Sequence, residues 1–301
     1  MIRRNTVLMM SLVLLACSAL AGCGVSGIAG LYERFKAEDT VTKTFKTAAT
    51  PRVVVDTFNG EVSVTIAESG TAKAVVTKFS TGNTQEAAED GLVGIEVNMT
   101  QEGDAIHIKT QTAQKNFMGS RGANVALQVP EGAVLDLHTS NGKIAATGKT
   151  GDILAKTSNG PVEVKESKGK LDLSTGNGKL LVRGGAGKLT LKTSNGDIDI
   201  KSGHAAIEAD TSNGNVFFSG SPADGEHLFQ THNGKVTLNL PAEAQFRIDA
   251  ETKNGRVNSD FQVKTTQKRA NRKMQGAVGD NPATVIKVRS GNGSIELRKQ
   301  K

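Results

Sequence analysis

A parallel β-helix coiled in rungs of about 18 residues is the fold class this sequence predicts. Three observations predict it. Nine Asn-Gly dipeptides punctuate the chain, at Asn59, Asn141, Asn159, Asn177, Asn195, Asn213, Asn233, Asn254 and Asn292, and from Asn141 to Asn213 they recur every 18 residues. A fixed period of this size marks stacked repeats. Two residues before each Asn stands Thr, or Ser at Ser290, and three residues after it stands Val, Ile or Leu. Apolar and polar residues alternate around every copy with β-branched enrichment, which gives strands with one buried face and no helical period.

The elements follow in order. Arg3 and Arg4 precede the short apolar run Val7–Leu15, and Leu20-Ala21-Gly22-Cys23 comes next. The run is too short to span a bilayer and reads as an export signal over residues 1–22. Leu20, Ala21, Gly22 and Cys23 resemble the lipobox of bacterial lipoproteins. That resemblance implies cleavage before Cys23, acylation at that residue and a membrane anchor, since two or three acyl chains hold a protein stably where one does not. Gly24, in place of Asp, favours the outer membrane where two membranes exist. With Cys17 lost and Cys23 lipidated, no disulfide is available. Removing residues 1–22 takes two arginines from 37 Lys+Arg against 30 Asp+Glu, so the mature charge is about +5. That is too mild for a nucleic-acid protein, and export argues against one as well.

Residues 23–50 are expected to form a lipidated tether, with a short helical turn over Leu31–Asp39 and a first strand near Val41–Phe45. Residues 51–130 depart from the 18-residue rule and are expected to form an irregular β-rich cap, with strands at Val53–Ile66, Ala72–Phe79, Ile95–Met99, Ala105–Lys109 and Val125–Val129. Thr84–Gly91 reads as a short helix. The Asn-Gly repeat occupies 131–301. Beyond Pro241 the spacing loosens to 21 and then 38 residues, and the polar segment 264–284 is expected to be an exposed loop in the penultimate rung.

Each rung holds two short strands and two turns. An antiparallel β-meander is the competing architecture, because Asn-Gly between alternating strands is the strongest short hairpin signal. Three arguments favour the coil. A meander would form one open sheet with its apolar face wet. Identical residues recur every second strand, which in a coil sets Asn over Asn and Thr over Thr about 4.8 Å apart, where both could form ladders. The inward side chains are also small. The structural amide ladder is therefore assigned to Asn141, Asn159, Asn177, Asn195 and Asn213. The Asn-Gly turn is read as needing positive φ, and Asn292 is placed near the end of the stack.

The lipobox, the lead from Val129-Pro130 into Leu135-x-Leu137-x-Thr139-x-Asn141-Gly142, and the closing Ile286-x-Val288-x-Ser290-Gly-Asn292-Gly293-x-Ile295-x-Leu297 together resemble the bacterial putative-adhesin family of β-strand-repeat envelope proteins. The resemblance covers most of residues 40–301. It implies a right-handed parallel β-helix and an envelope location, and it carries over no ligand-binding residue.

No catalytic set, metal site or cofactor is expected. The five histidines are scattered and read as surface residues. Asp197, Asp199 and Asp210 are the nearest candidates for the clustered acids that a glycan-active β-helix needs, yet alternation makes Asp197 and Asp199 ordinary outward positions. One Tyr and no Trp argue against aromatic sugar platforms. Lys264, Lys268, Arg269, Arg272 and Lys273 form a basic cluster suited to anionic lipid or glycan. The function predicted is a non-enzymatic, lipid-anchored adhesion or scaffold module. Its candidate partners are the membrane, an envelope protein, an anionic glycan, or a second copy of the chain. An envelope-stress partner of another membrane protein is the alternative, and a glycan-active enzyme is the least favoured reading.

Overall fold

The computed structural model describes residues 34–67, 70–113, 118–265 and 272–300, so the signal and lipobox residues, Cys23 included, lie outside the described residues. The chain forms β1 (Phe35–Lys46), β2 (Arg52–Thr57), β3 (Val62–Ile66), β4 (Thr71–Gly82), α1 (Gln85–Val93), β5 (Ile95–Glu102), β6 (Ala105–Thr112) and β7 (Arg121–Val129). The regular array follows as β8 (Val134–Asn141), β9 (Ile144–Thr147), β10 (Ile153–Asn159), β11 (Val162–Lys165), β12 (Leu171–Asn177) and β13 (Leu180–Arg183). It continues through β14 (Gly187–Asn195), β15 (Ile198–Lys201), β16 (Ala205–Asn213), β17 (Val216–Ser219), β18 (Gly225–Asn233) and β19 (Val236–Leu240). The remainder is β20 (Phe246–Asn254), β21 (Val257–Ser259), β22 (Lys264–Thr265), β23 (Lys273–Val278), β24 (Thr284–Asn292) and β25 (Ile295–Lys299).

These strands build a 12-stranded and a 13-stranded sheet. In the regular array each strand pairs in parallel with its equivalent one rung away, with Thr157 on Thr175 and Asn159 on Asn177 as examples. The meander is thereby excluded. The inward faces of both sheets share one core, in which Leu137, Ala155, Leu173, Val162, Leu180 and Ile198 are completely buried.

The corners repay a full account of their hydrogen bonds, because a buried polar group without a partner is costly. At eight of the nine corners the Gly N–H donates to the Asn carbonyl of the next rung, for example Gly60 on Asn141 (2.8 Å) and Gly178 on Asn195 (3.0 Å). The Gly carbonyl then has no strand partner. The Thr of the next rung supplies one: Thr175 Oγ1 donates to Gly160 O at 2.9 Å, and Thr211 Oγ1 to Gly196 O at 3.0 Å. Apart from the Thr57–Thr110 pair, whose hydroxyls meet at 2.7 Å, the row of Thr does not form the hydroxyl ladder expected from the sequence. Each hydroxyl points instead at the carbonyl that the corner would otherwise orphan.

The Asn side chains do form a chain. Asn159 Nδ2 donates to Asn141 Oδ1, Asn177 to Asn159 and Asn195 to Asn177, each at 2.8 Å, and Asn213 donates to Asn195 at 2.9 Å. Positive φ falls on the glycine of the corner at Gly60, Gly142, Gly160 and Gly293 (149–156°), and none of the nine corner asparagines has it, which corrects only the asparagine part of the turn chemistry read from the sequence. The glycine is required by packing as well. A Cβ on Gly178 would lie 2.0 Å from Gly160 O, and one on Gly196 would lie 1.9 Å from Gly178 O.

Both ends of the stack depart from chain order. The first sheet runs β1-β4-β7-β3-β9 at one end and β17-β19-β25-β21 at the other; the second runs β5-β6-β2-β8 and β18-β24-β20-β23-β22 at the same two ends. The pair β2–β3 therefore sits between β6–β7 and β8–β9, and β24–β25 sits between β18–β19 and β20–β21. Residues 51–130 are consequently not a cap apart from the repeat. Thr57 lies over Thr139, and β6–β7 is itself a rung. Asn292 is interior, donating to Asn233 and accepting from Asn254 at 2.7 Å each, so Asn254 ends the row.

Antiparallel strands close one end, where β4 pairs with β7, β1 with β4, and β5 with β6. At the other end β23 and β22 extend the second sheet beyond β20, while β21 is the last strand of the first. Helix α1 begins where Thr84 Oγ1 accepts the Ala87 N–H (3.1 Å), an N-cap that satisfies one unpaired donor. Phe35–Asp39 belong to β1 and not to a helical turn, because all twelve residues of that strand pair with β4. The expected tether is thus strand from Phe35 onward.

Candidate binding face

Outward positions on the 13-stranded sheet stack into rows just as inward ones do. Immediately before the Asn of every corner but Asn59, which follows Phe58, lies a row of Ser140, Ser158, Gly176, Ser194, Ser212, His232, Gly291 and Lys253 in spatial order, exposed except at the two half-buried glycines. Two residues earlier runs a second row that includes Lys192, Asp210, Gln230, Arg289 and Glu251. Glycine interrupts the first row twice, and a shallow cleft opens at each interruption. One, of about 630 Å³, lies around Gly176 between Ser158 and Ser194, with Asn159 and Asn177 on its lip. The other, of about 470 Å³, lies around Gly291 beside His232, Lys253 and Arg289. Asp210 and Ser212 line both.

The electrostatics of this face are mostly self-contained. Lys192 pairs with Glu208 at 3.0 Å, which raises the lysine pKa first through that hydrogen bond and then through the carboxylate charge. Arg289 is tied to Asp249 by Nη1 to its carbonyl and Nη2 to Oδ2, both 2.7 Å. On the other sheet Arg183 grips Asp199 with two bonds, 2.9 and 2.7 Å, and Lys179 approaches at 3.3 Å. Burial there would raise the Asp199 pKa, but the two cations outweigh it and the net shift is downward. Asp197 and Asp199 thus serve the stack: Asp197 Oδ1 accepts the Asn215 N–H at 2.7 Å.

Asp210 is different. Its pKa is raised, first by desolvation and then by Glu208, with Lys192 opposing. No hydrogen bond or ion pair within the chain engages its carboxylate among the described residues. A half-buried acceptor between two clefts lined by hydroxyls and amides suits a ligand that offers hydrogen-bond donors. His232, Glu251 and Lys253 share the lining of the second cleft with it. No cluster of three or more His, Cys, Asp or Glu side chains that could hold a metal occurs among the described residues.

Among the histidines, His227 is buried and not a surface residue. It stands six residues before Asn233, in an inward row that is Val, Ile or Leu at the other eight copies. The preceding spacing is 20 residues instead of 18, and the ring repairs the mismatch. Nδ1 accepts the Ile207 N–H at 3.2 Å and Nε2–H donates to Ala223 O at 2.7 Å. Burial lowers its pKa, partly offset by the Ala223 bond. Aligning that row in the sequence would have found it.

Of the basic cluster, the described Lys264 and Lys273 lie on strands and not in an open loop. Lys264 lies in β22 and Lys273 in β23, which form an antiparallel pair covering β20. Lys273 Nζ is 3.8 Å from Glu251, and the Arg272 carbonyl accepts the Thr252 N–H. Lys268 and Arg269 lie outside the described residues. No described helix is long and apolar enough to cross a membrane.

Comparison with solved structures finds similar chains at low identity. A putative cell adhesion protein from Clostridium sporogenes is 12% identical, with 88% of this chain and 100% of that chain covered and a TM-score of 0.27. A putative adhesin from Bacteroides fragilis is 12% identical, with 86% and 97% covered and a TM-score of 0.32. A putative lipid binding protein from Parabacteroides distasonis is 9% identical, with 86% and 97% covered and a TM-score of 0.25. A comparison with curated protein sequences finds no match. The profile of the Toastrack DUF4097 family matches residues 53–298, which runs from the first rung to the last strand, and the chain belongs to that family.

Proposed function

We propose that this protein is a non-enzymatic, lipid-anchored binding module of the bacterial envelope, held by Cys23 and presenting the corner face of its β-stack to a partner. The observation that carries the binding half is the pair of adjoining clefts sharing Asp210 and Ser212. Donors and acceptors repeat there at the strand spacing, while the neighbouring charges neutralise one another. Such a face matches an extended, hydroxyl- or amide-rich partner lying across several rungs, either a glycan or a protein segment. The anchoring half rests on Leu20-Ala21-Gly22-Cys23. Interior rows that satisfy their own hydrogen bonds make a stiff platform, which reduces the ordering cost of binding.

Two measurements test the reading. Labelled palmitate should enter the wild type and not Cys23→Ala, and surface protease should reveal the leaflet; labelling that persists in Cys23→Ala would remove the anchor. Cross-linking from intact envelopes should capture a partner that Asp210→Lys or Ser194→Trp releases, with folding unchanged by circular dichroism. Capture that is indifferent to both substitutions would move the binding face elsewhere. Turnover of an envelope polysaccharide, lost on one acidic substitution, would overturn the non-enzymatic assignment.

A further inference from the structure

Asn-Gly carries a reaction of its own. The glycine nitrogen, on losing its proton, attacks Cγ of the preceding asparagine. The N–Cγ bond closes a succinimide, the Cγ–Nδ2 bond breaks, and the side-chain nitrogen leaves as ammonia after taking up a proton. Water then opens either carbonyl of the ring, leaving aspartate or isoaspartate. Water is the only co-reactant. The glycine nitrogen must be unengaged and the asparagine side chain must be free to fold onto it.

The stack denies both conditions at eight of nine corners. The N–H groups of Gly60, Gly142, Gly160, Gly178, Gly196, Gly214, Gly234 and Gly293 all donate to the next rung, at 2.8–3.0 Å. The side chains are held too. Asn59 Nδ2 donates to Arg121 O at 2.7 Å, and the Oδ1 atoms of Asn141, Asn159, Asn177, Asn195, Asn213, Asn233 and Asn292 each accept an amide from the neighbouring rung.

The ninth corner stands apart. No rung lies beyond Asn254-Gly255, and the Gly255 N–H has no acceptor within the described residues. Asn254 donates to Asn292, and no described residue donates to its Oδ1. Among the described residues the flanking pairing with β23 reaches as far as Glu251 and the Thr252 N–H. Asn254 is also exposed to the water the reaction consumes. Chain order would have pointed to Asn292, which the stack encloses.

We propose that Asn254 is a site of spontaneous conversion to aspartate and isoaspartate, selected from nine equivalent dipeptides by its place at the open end of the stack. An Asp carboxylate there cannot donate to Asn292 Oδ1, so the last link of the amide row is lost. Isoaspartate additionally lengthens the backbone at a corner where a Cβ on Gly255 would already lie 2.1 Å from Gly293 O. The change loosens the rung that bears β22 and β23, and leaves the interior corners intact.

Folded full-length protein, incubated in mildly alkaline oxygen-18 water and mapped by mass spectrometry, tests the assignment against a parallel sample in guanidinium chloride. In denaturant all nine sites should convert at comparable rates. In the folded protein Asn254 should convert at least about tenfold faster than Asn177 or Asn292, because local opening is least costly at a free end. Equal rates in the folded protein, or an interior corner reacting first, would overturn the assignment. Asn254→Gln, whose glutamine cyclises far more slowly, should remove the fast phase; a fast phase that survives in this variant would also overturn it.

Discussion

Replacing three corner asparagines by alanine asks whether chain order or stack order sets stability. Asn177 and Asn292 each make two amide–amide bonds, Asn177 at 2.8 Å in both directions and Asn292 at 2.7 Å in both. Asn254 makes one, at 2.7 Å. All three are exposed, so water can replace a lost partner, and each bond contributes near the lower end of the usual net range, about 0.5 kcal/mol. Asn177→Ala and Asn292→Ala should therefore each cost about 1 kcal/mol and Asn254→Ala about half that. For a chain of this size 1 kcal/mol corresponds to about 2–4 °C in Tm. Urea unfolding followed by circular dichroism gives the midpoints, and hydrogen exchange over 246–259 and 284–299 separates fraying of one rung from global loss, a distinction stacked repeats require. An Asn254→Ala variant that lost as much as Asn292→Ala would refute the stack order.

Three further outcomes follow from the same geometry. Gly178→Ala places a methyl 2.0 Å from Gly160 O and should cost about 3 kcal/mol, at the upper end for overpacking, read from the urea midpoint. Thr175→Val keeps the side-chain shape but orphans the Gly160 carbonyl, and should cost about 1–3 kcal/mol by the same assay. His227 has its folded pKa lowered from 6.5, so the unfolded chain binds its proton first. The stability it confers is complete above about pH 6.5 and declines as pH falls toward the folded pKa. The thermal midpoint of wild type should drop over that window, and a His227→Gln variant should lack the step; identical pH profiles would remove His227 as its cause.

The rung itself was legible because one corner repeats nine times. The Thr before each Asn, the aliphatic residue after it and the glycine between are each dictated by contacts to an identical neighbour, so the pattern encodes its own environment. What could not be read was which identical neighbour. Corners with the same residues offer the same partners, so nothing local distinguishes Asn254 over Asn233 from Asn292 over Asn233. The order is set by the ends, where β4, β5 and β23 pair antiparallel and carry no period. The candidate face was legible only as outward polar rows. The clefts depend on Gly176 and Gly291 standing where neighbours carry Ser, His or Lys, a deletion of side chain that a search for chemical groups passes over. His227 was missed because a histidine in an aliphatic row is visible only once that row is aligned.

The enclosed position of β24–β25 has a consequence for biogenesis. Synthesis delivers residues 246–259 before 284–299, yet the later segment must slot between the earlier one and 225–240. A nascent chain that zipped up as it emerged would seat the wrong neighbour with a register chemically indistinguishable from the right one. Correct assembly therefore favours β20–β21 staying undocked until the closing segment arrives, so that residues 246–299 dock together.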